Sequence, residues 1–287
     1  MQKEITFTMK TELIEEFSYH LYSQEKTAAT IRKYSTDLKT FLEYLGTDRQ
    51  VHRIRPLEYK EWLRQQYAVS SANSMLAAVN SFLDYLCFPE LKVKSYKVQK
   101  RMFLDSEKEM TKTEYRKLVE TARKKEKSQL ALILEAICAT GVRVSELKYL
   151  TVKNLQDGRL EVCNKGKTRI VLIPESLRKK LLCYAGKQGI KSGPVFITRS
   201  GKPKDRSNIW TEMKVLAEQA GIKPKKVFPH ALRHTFCSRC FEKGITPKVV
   251  QQLMGHAHYS TTIDIYTHIS EEMMGNELEK FKVAMNA

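Results

Sequence analysis

Five side chains in the sequence are of the types that hold and attack a phosphate group. They are two arginines, two histidines and one tyrosine, in the order Arg143, His230, Arg233, His256 and Tyr266. Planar guanidinium groups donate two hydrogen bonds at a time to phosphate oxygens and stay charged at any working pH. A phenol with an ordinary pKa of about 10 is a weak nucleophile, but cationic neighbours favour its phenolate. The set is therefore suited to holding a phosphodiester while Tyr266 attacks it.

The local sequence predicts how these residues are positioned. Arg143 follows Gly141, which we expect to end a helix because glycine accepts the left-handed conformation. His230 and Arg233 are three residues apart, so a helix places them on one face. His256 directly follows another glycine at an expected helix end. Helix ends and one helix face would thus present the cationic groups.

Glu146, three residues after Arg143, has two interpretations. It can be a partner that orients the Arg143 guanidinium, or an ordinary acidic residue in the first turn of the next helix. The sequence alone does not choose between them.

Together these motifs resemble the tyrosine recombinases, also called the phage integrase family. The resemblance lies in T-G-V-R-V-S-E-L, which ends at residue 147, in H-A-L-R-H from residue 230, and in L-M-G-H followed by T-T-I-D-I-Y-T-H, which ends at residue 268. Each motif alone is weak, but all of them occur in the family's order over about half of the chain. The resemblance implies that Tyr266 is the nucleophile. His268 lies two residues after Tyr266 and is a candidate supporting residue of the site.

Residues 159–173 change to the alternating pattern of a strand, a tight turn and a second strand. In the family, the turn of this hairpin carries a lysine that protonates the leaving 5′ oxygen. Lys165 best matches that residue. The turn is one residue shorter than in many relatives, so Lys167 is a competing assignment. Two solvated turn lysines without a chemical role are the plain alternative.

The chain of 287 residues has a formal net charge of +18, with 50 Lys and Arg against 32 Asp and Glu. Most of the excess lies after residue 100, and it favours a polyanionic partner such as nucleic acid. We expect DNA contacts from basic residues of the linker, the hairpin turn and the turn at 199–206. These are Lys97, Lys100, Arg101, Lys167, Lys202 and Lys204.

Amphipathic stripes predict a mainly α (α+β) protein of two domains. Residues 1–95 form an all-helical domain, residues 96–108 a basic linker, and residues 109–287 a mostly helical domain with a small antiparallel β-hairpin. The resemblance implies that the first is a SAM-like core-binding domain for DNA and the second the catalytic domain. Whether the final helix, within 270–287, docks on its own domain or in a neighbouring subunit stays open.

Several classes of site and location are not expected. No apolar run reaches about 18 residues, so no membrane span is predicted. The six cysteines lack a disulfide framework, which favours reduced thiols in a cytoplasmic protein. The lone pair Cys237 and Cys240 is a poor zinc or redox motif. The catalytic set lacks the carboxylates that hold magnesium, so neither metal nor cofactor is expected.

The resemblance implies a site-specific DNA recombinase. Tyr266 would attack the scissile phosphate and leave a 3′-phosphotyrosyl bond and a free 5′ hydroxyl, which preserves the bond energy without ATP. Arg143, Arg233 and His256 would stabilise the phosphate, and His230 would help move the tyrosine's proton or hold an oxygen. The implied partners are duplex DNA with a specific recombination site, a homotetramer on paired sites, and accessory DNA-bending or excision factors.

The biological role has several readings. The T-T-x-D-I-Y form favours integration or excision of a mobile element, and Xer-type dimer resolution of chromosomes or plasmids is the alternative. Two other readings are a sequence-specific DNA-binding protein that does not cleave and a type IB topoisomerase. The target sequence cannot be read, because groove contacts depend on surface positions.

Overall fold

The computed structural model describes residues 6–98, 110–164, 167–255, 259–260 and 262–263. The chain divides into two compact units, Met1–Lys100 and Arg101–Ala287. Within the described residues, no helix is both long enough and apolar enough to cross a membrane.

Four helices build the first unit, as the apolar stripes predicted. They are α1 (Thr11–Ser23), α2 (Ala28–Leu45), α3 (Arg55–Gln66) and α4 (Val69–Tyr85). Thr27 caps α2 by accepting a hydrogen bond from the Thr30 amide, and Gly46 ends that helix. The sequence did not predict the two short strands β1 (Phe7–Thr8) and β2 (Gln50–Val51), which pair antiparallel. The core between the helices includes Phe17, Phe41 and Phe82.

The second unit is mostly helical and contains the predicted hairpin. Its helices are α5 (Lys112–Lys124), α6 (Ser128–Thr140), α7 (Val152–Asp157), α8 (Glu175–Lys187), α9 (Arg206–Gln219), α10 (Pro229–Glu242) and α11 (Pro247–Met254). The strands β3 (Arg159–Asn164) and β4 (Lys167–Leu172) pair antiparallel, from Arg159 opposite Leu172 to Asn164 opposite Lys167. The mainly α fold with a small antiparallel sheet is confirmed.

Helix α6 lies at the centre of the second unit. Its side chains are apolar nearly all round, and it packs against α5, α8, α9 and α10. Leu130, Ile133, Leu134 and Ile137 are at most 1 % exposed. Burying each such side chain contributes about 2 kcal/mol to folding. The C-terminal end of α6 is therefore a firmly held point, and Arg143 follows it by three residues.

Gly141, which ends α6, is closely packed as well as left-handed. Its φ is 64°, and an added Cβ would lie 2.6 Å from Cδ1 of Phe236. We expect Gly141→Ala to lower the free energy of unfolding by about 2–4 kcal/mol, since the left-handed conformation costs about 1 kcal/mol and the collision about 1–3 kcal/mol. Urea unfolding of the full-length protein measures this change.

Gly244→Ala is the matched control. Gly244 has a φ of 75°, but no heavy atom lies within 4 Å of the added Cβ. It should cost only the conformational part, about 1 kcal/mol. Equal losses in the two variants would mean that Phe236 does not restrict Gly141.

Candidate active site

Three arginines from different elements converge on the C-terminal end of α11. Arg143 follows α6, Arg169 lies on β4, and Arg233 lies on α10. Nη1 of Arg169 is 3.2 Å from the Leu253 carbonyl oxygen, and Nη2 of Arg143 is 3.0 Å from the Gly255 carbonyl oxygen. Arg233 donates to the carbonyl of the residue between them. The last carbonyls of a helix lack intrahelical partners and carry the negative end of its dipole, so these cations stabilise them.

Glu146 joins two of these arginines. Its side chain is 3 % exposed, with Oε1 2.8 Å from Nη1 of Arg143 and Oε2 2.6 Å from Nη2 of Arg169. Oε2 also accepts a hydrogen bond of 2.8 Å from the Arg143 amide. Glu146 thus has both arrangements considered from sequence. It contacts the Arg143 guanidinium, and it caps the 3₁₀ turn Val144–Tyr149, in whose first turn it lies. We call Arg143, Arg169, Arg233 and Glu146 the arginine cluster.

Arg233 is the buried member of the arginine cluster. It is 2 % exposed and donates to the carbonyls of Gly141 and Met254. Burial, with repulsion from Arg143 and Arg169, lowers the pKa of Arg233 to about 9, so it stays charged at neutral pH. Three guanidiniums against one carboxylate leave the cluster with excess positive charge. Such a site favours an anion that approaches it.

His230 lies on α10, one turn before Arg233. Its ring meets the ring of His234 edge to face, with centroids 4.5 Å apart. The side chain is exposed in part. The protein around the ring desolvates it and lowers the pKa of His230, and the positive charges of Arg233 and Arg143 lower it further. The imidazole is therefore neutral at pH 7 and can accept a proton.

Several predicted site residues lie outside the described residues: Lys100, Arg101, Lys165, His256, Tyr266 and His268. Lys167 is described only for its backbone, at the start of β4. Of the residues predicted to act on phosphate, the structure therefore places Arg143, His230 and Arg233. It also places Gly255, the residue before His256, in contact with the arginine cluster.

The remaining predicted DNA contacts differ in their surroundings. Lys97, in the first unit, and Lys202, in the second, are exposed. Lys204 is held instead by Glu212, with Nζ 2.7 Å from the carboxylate and a side chain only 11 % exposed. In this arrangement Lys204 has little free surface to offer a phosphate.

The cysteines of α10 are buried thiols. Burial raises the pKa of Cys237 to about 12 and also raises the pKa of Cys240. A thiol with a raised pKa is a poor nucleophile and a poor metal ligand. Among the described residues, no group of three or more His, Cys, Asp or Glu side chains could hold a metal ion.

Arg169 is the member of the cluster that sequence reasoning missed. Its side chain is 14 % exposed and, like Val171 and Ile173, it faces inward from the hairpin. Ile170 and Leu172, the apolar residues between them, are 53 % and 66 % exposed. An arginine on the inward face of a strand needs a buried acceptor. The signal available in the sequence was therefore an arginine at an alternate position with Val171 and Ile173, which requires such an acceptor.

The chain matches two protein families. Residues 108–273 match the phage integrase family, and residues 14–87 match the phage integrase N-terminal SAM-like domain. The chain is 31 % identical over 291 residues to tyrosine recombinase XerA of Pyrococcus furiosus, with 97 % of each chain covered. It is 33 % identical over 270 residues to tyrosine recombinase XerD of Halalkalibacterium halodurans, which covers 85 % of this chain and 88 % of that protein.

Solved structures of similar proteins have the same fold. A crystal structure of XerA recombinase is 26 % identical with a TM-score of 0.52, covering 94 % of this chain and 98 % of that one. The Tn1549 transposon integrase in complex with circular intermediate DNA is 17 % identical with a TM-score of 0.71, covering 95 % and 99 %. At that identity, the second likeness concerns the fold alone.

Proposed function

The chain belongs to the phage integrase family of tyrosine recombinases, and from that premise we propose how its own residues cleave and rejoin DNA. It is a tyrosine-type site-specific recombinase, an enzyme of DNA strand cleavage and rejoining. The observation that carries the proposed assignment of the site is the arginine cluster, which combines excess positive charge with a partly open guanidinium. Arg143 keeps 32 % of its side chain exposed, so a phosphate can reach it.

The substrate of the proposed site is the scissile phosphodiester of duplex DNA. The Tyr266 hydroxyl attacks phosphorus, the bond to the 5′ oxygen breaks, and a 3′-phosphotyrosyl bond and a free 5′ hydroxyl remain. Arg143 and His256 donate hydrogen bonds to the non-bridging oxygens as negative charge builds on them. Arg233 is 2 % exposed and donates to the Gly141 and Met254 carbonyls, so it joins them by exchanging one carbonyl for a phosphate oxygen. One well-placed donor of this kind lowers the barrier by about 3 kcal/mol. Rejoining is the reverse reaction, in which a 5′ hydroxyl displaces the tyrosine.

Two proton transfers complete the proposed reaction. The neutral His230 accepts the proton of the attacking tyrosine or holds a phosphate oxygen, and its lowered pKa supports the first role. Lys165, in the hairpin turn, protonates the leaving 5′ oxygen, and Lys167 is the competing assignment. A flexible ammonium group suits a donor that enters the site from a turn.

The neutral form of His230 predicts a pH dependence. Since its pKa is lowered, protonation should remove the base only as the pH falls through a value below 6.5. The second-order rate constant for cleavage at subsaturating DNA, which reports groups of the free protein, should therefore be constant near pH 7 and decline on the acid side, with a midpoint below 6.5. His230→Gln should lower the rate by about 100-fold and remove that acid decline. The control His234→Gln, one turn further along α10, should keep the acid decline in rate. If His230→Gln also keeps this decline, a group other than His230 accepts the tyrosine proton.

Covalent capture tests the proposed chemistry. A labelled, nicked DNA duplex is incubated with the protein in EDTA and run on a denaturing gel. The nick lets the short cleaved strand diffuse away, so the phosphotyrosyl intermediate accumulates. We expect a protein–DNA adduct, and sequencing its DNA end gives the cleavage site. Binding without any adduct, on DNA recovered by selection from random sequence, would favour a binding protein that does not cleave.

The biological role divides into two candidates. Integration or excision of a mobile element is supported by the T-T-I-D-I-Y form of the nucleophile segment. Xer-type dimer resolution is supported by the identity with XerA over 97 % of the chain. Capture on DNA from the ends of a mobile element, compared with DNA from a chromosomal resolution site, separates them. Relaxation of any supercoiled plasmid would instead favour a type IB topoisomerase.

The proposed partners follow from the reaction. Residues 1–95 act as the core-binding domain and residues 109–287 as the catalytic domain, joined by the basic linker at 96–108. Both domains contact duplex DNA, with Lys97, Lys100, Arg101, Lys167 and Lys202 as candidate phosphate contacts. Four copies assemble on paired sites, with accessory DNA-bending or excision factors, in the cytoplasm. Light scattering of the protein on one site and on paired sites measures that assembly.

A further inference from the structure

Arg169 joins the Glu146 carboxylate to the C-terminal end of α11. We propose that Arg169 is a positioning residue for strand cleavage, which fixes Arg143 through Glu146 and fixes the C-terminal end of α11 before His256. The inference rests on the proposed function, because it assigns Arg169 a part in that same reaction.

Both outer nitrogens of Arg169 are already engaged. Nη2 is 2.6 Å from Oε2 of Glu146, and Nη1 is 3.2 Å from the Leu253 carbonyl oxygen. The side chain of Arg169 is 14 % exposed, and its partner Glu146 is a carboxylate, a stronger acceptor than the carbonyls that Arg233 binds, so Arg169 keeps its own partners when a phosphate approaches. It therefore acts on the reaction through the groups that it holds.

The first group that it holds is Glu146. This carboxylate is 3 % exposed and binds Arg169 on Oε2 and the Arg143 guanidinium on Oε1. A buried carboxylate with two cations keeps one geometry, because each oxygen has a strong charged donor. Without Arg169, Oε2 would keep only the Arg143 amide, and the carboxylate could turn. Arg143 would then lose its fixed orientation toward the phosphate.

The second group is the end of α11. The side chain of Arg169 lies directly against Gly255, where an added Cβ would be 2.3 Å from Cδ and 2.4 Å from Nε. Gly255 is left-handed, with a φ of 60°. A side chain packed against this residue restricts the backbone at the end of α11, directly before His256 in the sequence.

The strand that carries Arg169 also leads to the proposed general acid. Arg169 lies two residues after Lys167 and four after Lys165 on the same hairpin. Through this one side chain, the hairpin contacts both Glu146 and the end of α11. Loss of those contacts would therefore loosen the hairpin as well as the end of α11.

Single-turnover cleavage of the nicked duplex tests the proposal. At saturating DNA, Arg169→Ala should cleave about 100-fold more slowly, since a displacement of about 1 Å costs that much, while DNA affinity changes by less than about threefold. Arg169→Lys, which can reach only one of the two acceptors, should be intermediate. Arg159→Ala, at an exposed position of the same hairpin, is the control and should cleave at the wild-type rate.

A neutral substrate separates positioning from a general loss of structure. Methylphosphonate at the scissile position replaces one charged oxygen, so the diastereomer that lacks the oxygen held by Arg143 should reduce the Arg143→Ala defect. If Arg169 acts through Arg143, the Arg169→Ala defect should shrink on the same diastereomer. An Arg169→Ala defect that stays at its full size there would overturn the proposal.

The contact with Gly255 supplies a second, independent test. Gly255→Ala should slow cleavage by itself, because its new methyl group collides with Arg169. In the Arg169→Ala background that collision is absent, so the second substitution should add far less than it does alone. Fully additive defects would contradict the close packing of Arg169 on this residue.

The outcomes separate this inference from the proposed function. No adduct with the wild-type protein on its selected DNA would contradict the proposed function itself. An adduct with wild type, together with wild-type rates for Arg169→Ala and Arg169→Lys, would contradict the inference alone. If Arg169→Ala does not fold, Arg169→Lys decides, and a wild-type cleavage rate in that variant overturns the inference.

Discussion

Tyr266→Phe is expected to abolish the covalent protein–DNA adduct while leaving DNA binding unchanged. The substitution removes one oxygen atom, which is the proposed nucleophile, and keeps the aromatic ring. Because the variant lacks the proposed nucleophile, the cleavage rate should fall by more than about 10,000-fold. Denaturing gels measure the adduct on labelled nicked DNA, and gel shifts on the same DNA measure affinity.

Tyr259→Phe is the matched control for this loss. Tyr259 lies seven residues earlier and is 46 % exposed, so it is an accessible phenol in the neighbouring sequence. This variant should form the adduct at the wild-type rate. If the adduct persists in Tyr266→Phe and disappears in Tyr259→Phe, the nucleophile is Tyr259. If it persists in both variants, neither tyrosine is the nucleophile.

Rules that depend on neighbouring residues predicted the helix end that precedes Arg143. Gly141 was expected to end a helix, and it does so with a left-handed φ of 64° just before Arg143. The apolar run before it predicted a buried central helix, which α6 is. These features depend on residues a few positions apart, so the chain specifies them locally.

The spacing of His230 and Arg233 predicted a shared helix face, but their burial differs. Arg233 is 2 % exposed, whereas His230 is exposed. Residues three apart on a helix are neighbours, yet they are rotated from each other by about 60°. One can therefore point into the protein while the other lies at its edge. Spacing shows that two side chains are close, and the surrounding elements decide their burial.

Long-range partners were beyond local rules. Glu146 could be a partner of Arg143 or a first-turn acid, and only the position of β4 shows that it binds Arg169 as well. Arg169 itself escaped notice because the alternation of T-R-I-V-L-I has isoleucine and leucine on the outward face. Its role depends on Leu253 of α11, which lies 84 residues later in the chain. A local pattern can show that an inward-facing arginine needs a buried acceptor, but it does not show which distant residue supplies it.

Arg143 and Arg233, the two arginines proposed to bind phosphate, differ in exposure, and this difference predicts different consequences for their removal. Arg143→Ala should slow cleavage by about 100-fold to 1,000-fold, the effect of losing one donor to the developing charge. Its stability should fall by only about 1 kcal/mol, because Glu146 keeps Arg169 as a partner. Arg233→Ala should slow cleavage at least as much and also lower the free energy of unfolding by about 2–5 kcal/mol, since the buried carbonyls of Gly141 and Met254 lose their donor.

Urea unfolding and single-turnover cleavage, measured on the same preparations, separate these two effects. Arg159→Ala, at an exposed position of β3, should match the wild type in both measurements. Arg233→Lys keeps the charge but not the fork, so it can serve only one of the two carbonyls and should be intermediate in stability. Wild-type stability in Arg233→Ala would mean that the carbonyls at the ends of α6 and α11 find other donors. A wild-type cleavage rate in Arg143→Ala would mean that the Arg143 guanidinium does not bind the scissile phosphate.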